Sequence, residues 1–158
     1  MVLDASAVVE WLLGSGRGDA VVAQLLDDPE GAFFAPDLLD VEVVQAFRRL
    51  ARSGAVSDTR ATGAVELLLA LPLERRSAAI LVPRIWTLRD NLSAYDAAYV
   101  ALAEALDCSL LTCDARIADA PGHGVKVRVA LAPALSPAVP ATTGPQAIDV
   151  RRSIREDR

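Results

Sequence analysis

Short apolar runs alternating with longer segments of helical spacing predict an α/β fold, with helices covering both faces of a central parallel sheet of about five short strands. Three observations carry this expectation. The apolar runs Met1-Val2-Leu3, Ala32 to Ala35 and Ser109 to Thr112 are too short for helices, and each leads into a segment of helical spacing. Apolar residues make up 53% of the chain but aromatics only 4%, so the core must be built from Ala, Leu and Val, which suits helices packed on a small buried sheet. At 158 residues the chain is long enough to bury one core without staples.

The first strand ends at Asp4, and Ser6 to Leu13 follows as a helix with Val8, Val9, Leu12 and Leu13 on one side. Gly14 and Gly16 break it, and helix resumes from Asp19 to Asp28, stopped by Pro29. Ala32 to Ala35 is a second strand, ended by Pro36. A long helix from Asp37 to Arg52 carries Leu39, Val43, Phe47 and Leu50 on its apolar face and stops at Gly54. Ser57 caps a helix running to Ala70, with Val65, Leu68 and Leu69 expected to pack. Leu73 marks a weakly signalled third strand. Ala78 to Asp90 reads as helix apart from Pro83, and Ser93 opens another helix that runs into the strand Ser109 to Thr112. Asp114 to Ala120 is a short helix ended by Pro121-Gly122, and Val125 to Val129 alternates as an edge strand does. Trp11 and Trp86 are expected to be packing residues. The domain is therefore placed at 1–130. The Ala/Pro-rich stretch and charged tail at 131–158 are expected to be flexible.

Charge and cysteine content narrow the function classes. The net charge is −5, and because the four arginines after Pro133 outnumber Asp149, Glu156 and Asp157 by one, residues 1–132 carry −6. A broad basic nucleic-acid surface is not expected from that sign, whereas clustered acids around a cation are compatible with it. Cys108 and Cys113 have neither C-x-x-C spacing nor a neighbouring histidine, which argues against a zinc site or disulfide framework and for a reducing cytoplasm. Asp4 and Glu10 interrupt any apolar signal core. The uncharged run Val129 to Ile148 holds Pro133, Pro137, Pro140 and Pro145, so no membrane partner is expected. P-loop, G-x-G-x-x-G and G-x-S-x-G motifs are missing from the sequence, and His123 lies in a Pro-Gly-His-Gly turn.

In open α/β sheets ligands bind at the carboxyl ends of the strands. Asp4 closes the first strand, Asp114 follows the fourth, Asp96 lies in the first turn of the helix opened by Ser93, and Glu42 lies early in the long helix, beside its apolar face. Each has an ordinary explanation alone: Asp4 and Asp114 as helix caps, Asp96 as part of a capping box with Ser93, Glu42 as a solvated acid. Four acids converging on one crevice would repel and raise one another's pKa unless a hard divalent cation filled it. Mg²⁺ and Mn²⁺ take oxygen ligands, lower the pKa of water and offset charge on a phosphoryl oxygen, which is the chemistry of phosphodiester hydrolysis.

Residues 1 to 129 resemble a PIN-domain ribonuclease, and more narrowly the toxin of a VapBC-type toxin–antitoxin pair. The resemblance rests on the apolar run before Asp4-Ala5-Ser6, on Pro36 followed by Glu42, on Leu92-Ser93-Ala94-Tyr95-Asp96-Ala97-Ala98-Tyr99-Val100-Ala101-Leu102-Ala103, and on Leu110-Leu111-Thr112-Cys113-Asp114-x-Arg116. It implies a three-layer α/β/α sandwich and a Mg²⁺- or Mn²⁺-dependent endoribonuclease acting on single-stranded or loop RNA. It further implies Asp4, Glu42, Asp96 and Asp114 as catalytic metal ligands, with Ser6 and Thr112 orienting them. Asp96 and Asp114 are then expected within one cation's reach of Asp4, with Glu42 closing the set. A homodimer and a cognate antitoxin partner are also implied.

Arg49, Arg89 and Arg116 are candidates for RNA contact, as are Arg48, Arg52 and Arg84 nearby, while Tyr95 and Tyr99 could stack on bases or, for Tyr99, sit in the core. A non-catalytic PIN-like module that only binds RNA or protein is the alternative. A phospho-acceptor receiver is disfavoured because Asp4 stands alone after the first strand and the one lysine, Lys126, lies inside a strand.

Overall fold

The computed structural model describes residues 1–27 and 31–131; the helix stop assigned to Pro29 and the tail from residue 132 lie outside the described residues. Five parallel strands, β1 (Val2–Leu3), β2 (Phe33–Pro36), β3 (Leu73–Arg76), β4 (Leu110–Thr112) and β5 (Val127–Val129), stand in the order β3-β2-β1-β4-β5. The helices are α1 (Ala5–Leu13), α2 (Gly16–Leu26), α3 (Leu39–Arg52), α4 (Asp58–Ala70), α5 (Val82–Thr87), α6 (Ala94–Ala105) and α7 (Ala115–Asp119). Right-handed crossovers from β1 outward to β3 put α1 to α4 on one face, and the return to β4 puts α5 to α7 on the other. The result is the expected three-layer sandwich. Its strand order reverses between β1 and β4, where such sheets open a crevice.

The central strands are buried on both faces, with Val2, Leu3, Leu110 and Leu111 fully enclosed. Ala97 to Ala103 of α6 is buried without a break, and its small side chains let the helix lie close against β1, β2 and β4. α3 turns Leu39, Val43 and Phe47 inward, as its spacing predicts.

Several boundaries differ from expectation for local reasons. α2 begins at Gly16 rather than Asp19 because the Ser15 hydroxyl accepts from the Gly18 amide at 3.0 Å and caps the helix early. The expected helix from Ala78 to Asp90 is a 3₁₀ turn at Ala78–Leu81 followed by α5, with Pro83 in the first turn of α5, where its missing N–H breaks no helical bond. Leu69 faces solvent while Leu68 takes the packing role. Trp86 is 66% exposed, a correction to its expected packing role; the Arg89 guanidinium lies 4.8 Å from its ring centroid.

Candidate active site

Parallel register builds the floor of the crevice. Val2 pairs with Leu110 and Leu3 with Leu111, so one residue further on Asp4 lies beside Thr112. The Thr112 hydroxyl donates to Asp4 Oδ2 at 2.7 Å, and the Ser6 hydroxyl and amide donate to the same oxygen at 2.5 and 3.3 Å. Thr112 Oγ1 also accepts from the Asp114 amide at 2.9 Å, and Ser6 Oγ from the Cys113 amide at 2.9 Å, so two hydroxyls lace the end of β1 to the end of β4. Asp4 Oδ1 is free of these bonds, and Asp4 lines the cleft. Burial pushes the Asp4 carboxyl above its ordinary value; the Ser6 and Thr112 donors pull it back, and the charge of Asp96 pushes it up again.

Two further acids stand in the same cleft. Glu42, half-buried on α3, accepts a hydrogen bond from the Tyr99 hydroxyl at 2.6 Å. Its carboxyl is raised by burial, lowered by Tyr99 and raised again by Asp4 and Asp96. Tyr99 is fully buried on α6, and burial with the Glu42 partner holds its phenol protonated far above the usual range. It is a core residue that positions Glu42, not a base-stacking surface. Asp96 accepts from the Ser93 hydroxyl at 2.7 Å while its own amide donates back to that hydroxyl at 3.1 Å; Ser93 caps the helix as expected, but the carboxylate takes the hydroxyl proton and not the Ser93 amide that a capping box would use.

Asp114 lines the same cleft but is turned toward Arg116, which grips both its oxygens at 2.5 to 3.0 Å. The Arg116 guanidinium holds the Asp114 carboxyl below its ordinary value. Among the described residues no three acids stand close enough together, as they lie here, to hold one ion. This corrects the expectation of a tight quartet. Its cause is that Glu42 is held by Tyr99, Asp96 by Ser93 and Asp114 by Arg116.

The donors nonetheless fit a hard cation. Everything offered by Asp4, Glu42, Asp96 and Asp114 is carboxylate oxygen, the three coupled acids carry charge that a cation would relieve, and Asp96 and Asp114 are only partly buried, leaving their side chains room to turn. Cys113 also lines the cleft, but burial and the nearby Glu10 and Asp4 push its thiol up to about 11, so it is not a thiolate nucleophile at neutral pH.

The arginines divide. Arg49 lines the cleft, Arg116 sits at its edge on Asp114, and Arg89 does not line it, being stacked on Trp86 and 3.6 Å from Asp90. Arg84 is engaged with Glu104 at 2.7 Å. Sequence reasoning missed Glu10 and Arg17, which also line the cleft, and the role of Tyr99 toward Glu42. The signal for Tyr99 was available: a single large polar residue in the run Ala97 to Ala103, otherwise built of Ala, Val and Leu.

A family model described as "PIN domain" matches residues 1–122. Ribonuclease VapC1 of Mycobacterium tuberculosis is 43% identical over 129 residues, covering 81% of this chain and 96% of that protein. Ribonuclease VapC12 of the same organism is 37% identical over 129 residues, covering 82% and 98%. Among solved structures, VapBC2 from Rickettsia felis, bound to a DNA fragment from their promoter, matches with a TM-score of 0.61 at 13% identity, over 81% of this chain and 96% of that one. Mycobacterium tuberculosis VapC20, described as a sarcin-ricin loop cleaving toxin, matches with a TM-score of 0.54 at 14% identity, over 75% and 92%. At such identities the structural likeness speaks for the fold.

Proposed function

The chain belongs to the PIN-domain family, and on that premise we propose that it is a metal-dependent endoribonuclease, the toxin half of a VapBC-type toxin–antitoxin pair. The observation that carries the reading is the position of Asp4, Glu42, Asp96 and Asp114 along one cleft at the carboxyl ends of β1 and β4. Mg²⁺, or Mn²⁺, would supply a water of lowered pKa and offset the charge that develops on the scissile phosphoryl group. Asp4 is the anchor of the set, buried and held by Ser6 and Thr112 through one oxygen with the other left for the cleft. Glu42 is held in place by Tyr99, and Asp96 and Asp114 would turn from Ser93 and Arg116 to complete the set. Release of Arg116 from Asp114 would leave a guanidinium at the edge of the cleft for the RNA backbone.

The partner chemistry follows the same line. A VapB-like antitoxin is the proposed protein partner, given the VapBC complex among the structural relatives, and RNA the substrate. A homodimer is supported by apolar side chains left in solvent: Val41 and Val44 at the start of α3, and Ile80 and Val82 on the segment that Asp37 ties to α3 through the Ala78 amide. No described helix is long and apolar enough to cross a membrane, and the two free cysteines suit a reducing cytoplasm.

The test is cleavage of single-stranded RNA by the purified chain with Mg²⁺, with Mn²⁺ and with EDTA, alongside Asp4→Asn and Asp96→Asn. Cleavage that needs the cation and both acids is expected. RNA binding without cleavage, indifferent to both substitutions, would establish the non-catalytic alternative. Growth arrest on expression, relieved by co-expressing the protein encoded immediately upstream, tests the toxin assignment.

A further inference from the structure

The cleft is not acidic along its whole length. Glu42 and Arg49 both line it from α3, and seven residues of helix separate them by two turns, about 10 Å along the axis. Ala46 and Leu50 line the stretch between, so the cleft follows one face of α3 from an acidic end to a cationic one. Arg17, at the start of α2, lines the same cleft, and its positive charge is felt at the Cys113 thiol beside Asp114.

Arg17 is held there by a close helix contact. A Cβ on Gly18 would lie 2.2 Å from the Glu10 carbonyl oxygen, so the first turn of α2 rests directly on the end of α1. Ser15 locks the same junction through its hydroxyl bond to the Glu10 carboxylate. That bond occupies Glu10 Oε2, while Arg17 Nη1 stands 3.9 Å from Oε1 with its side chain half exposed, a loose pair that leaves guanidinium donors free. Among the described residues Arg49 has no acid within ion-pair distance.

We infer that Arg17 and Arg49 make phosphate subsites in the cleft, each gripping a backbone phosphate of an RNA strand whose scissile phosphate lies at Asp4. This rests on the RNA-cleaving reading of the acidic end. Glu10 also lines the cleft and the body carries net negative charge, so the flanking phosphates of a strand need cations to remain there. Guanidinium forks supply paired N–H donors matched to phosphate oxygens. Such contacts position a strand without reading its sequence.

The experiment is fluorescence anisotropy of a labelled single-stranded oligouridylate with the full chain in Ca²⁺, between about 50 and 200 mM salt. Arg17→Ala and Arg49→Ala are each expected to weaken binding and to lower the slope of log affinity against log salt by about 0.7, the share of one single-strand phosphate contact. Arg17→Lys should restore the slope, and melting temperatures should stay at the parental value. An unchanged slope in Arg17→Ala overturns the subsite. So does recovery of the lost slope in Arg17→Ala/Glu10→Gln, which would show that only net charge mattered, and so does a parent that does not bind. Should Arg17→Ala fail to fold, Arg17→Gln carries the same comparison. Cleavage of the same oligomer in Mg²⁺ is scored separately: a parent that binds with the full slope but does not cut leaves the subsite standing and sinks the nuclease reading.

Discussion

Thr112→Val removes one hydroxyl from the floor of the cleft and should cost far more than a surface substitution. Thr112 is fully buried; its Oγ1 donates to the Asp4 carboxylate at 2.7 Å and accepts from the Asp114 amide at 2.9 Å. Valine keeps nearly the same shape, so loss of hydrogen bonding dominates. A bond to a charged group contributes about 1.5–3 kcal/mol and a neutral one about 1 kcal/mol, giving a loss of about 3 kcal/mol. With a urea slope of about 2 kcal/mol per molar, the unfolding midpoint should fall by about 1.5 M. The assay is urea denaturation in EDTA at neutral pH. Because the hydroxyl favours the ionised carboxylate, the deficit should narrow as pH falls through the folded pKa of Asp4. A fall of less than about 0.5 M at neutral pH would refute the reasoning, since Asp4 would then draw its stabilisation from elsewhere.

Asp4→Asn should abolish cation-dependent cleavage by more than about 100-fold, since partners one step removed from a metal are themselves worth about 10–100-fold. The same substitution should change a pH trend: Asp4 and Glu42 have folded pKa values above their ordinary 3.8 and 4.5, so these two groups contribute stability that is lost as pH rises from those values through the folded ones, against the opposite contributions of Asp114 and Glu104. The urea midpoint of Asp4→Asn relative to the parent in EDTA isolates the Asp4 share; it should rise with pH across that range, and a difference that stays flat or falls would contradict the argument. Arg116→Gln should tighten Mn²⁺ binding severalfold by calorimetric titration, because the guanidinium no longer competes for Asp114; weaker binding would show that Arg116 orients the acid instead. Gly18→Ala forces a methyl against the Glu10 carbonyl and should cost about 2 kcal/mol, lowering the melting temperature by roughly 6 °C in a scanning calorimeter.

The sheet was legible because its strands are short apolar runs between helices, and even the weak signal at Leu73 marks β3. The acids were legible as helix-start residues: Asp4 caps α1, Asp114 caps α7, and Asp96 exchanges bonds with the hydroxyl of the cap residue Ser93. Their convergence was legible only through topology, since placing each acid at a strand end or helix start also places it at one edge of a parallel sheet. What stayed hidden was orientation. Nothing in the spacing of Asp114 and Arg116 says that the acid turns to its neighbour instead of the cleft, or that Tyr99 reaches across 57 residues to Glu42. Trp86 misled for the same reason, because a short helix with Pro83 in its first turn gives too few residues to show which side faces out.

Of the two hydroxyls that steady Asp4, one belongs to Ser6 close by and the other to a residue 108 positions later in the chain. During synthesis the first acid therefore waits, with only its local donor, until β4 has emerged and been laid beside β1. Glu42 likewise lacks Tyr99 until α6 is made. Until then a ribosome producing this chain carries an incomplete centre. The capacity to cut RNA, on the reading proposed above, can arrive only once β4 has been laid beside β1.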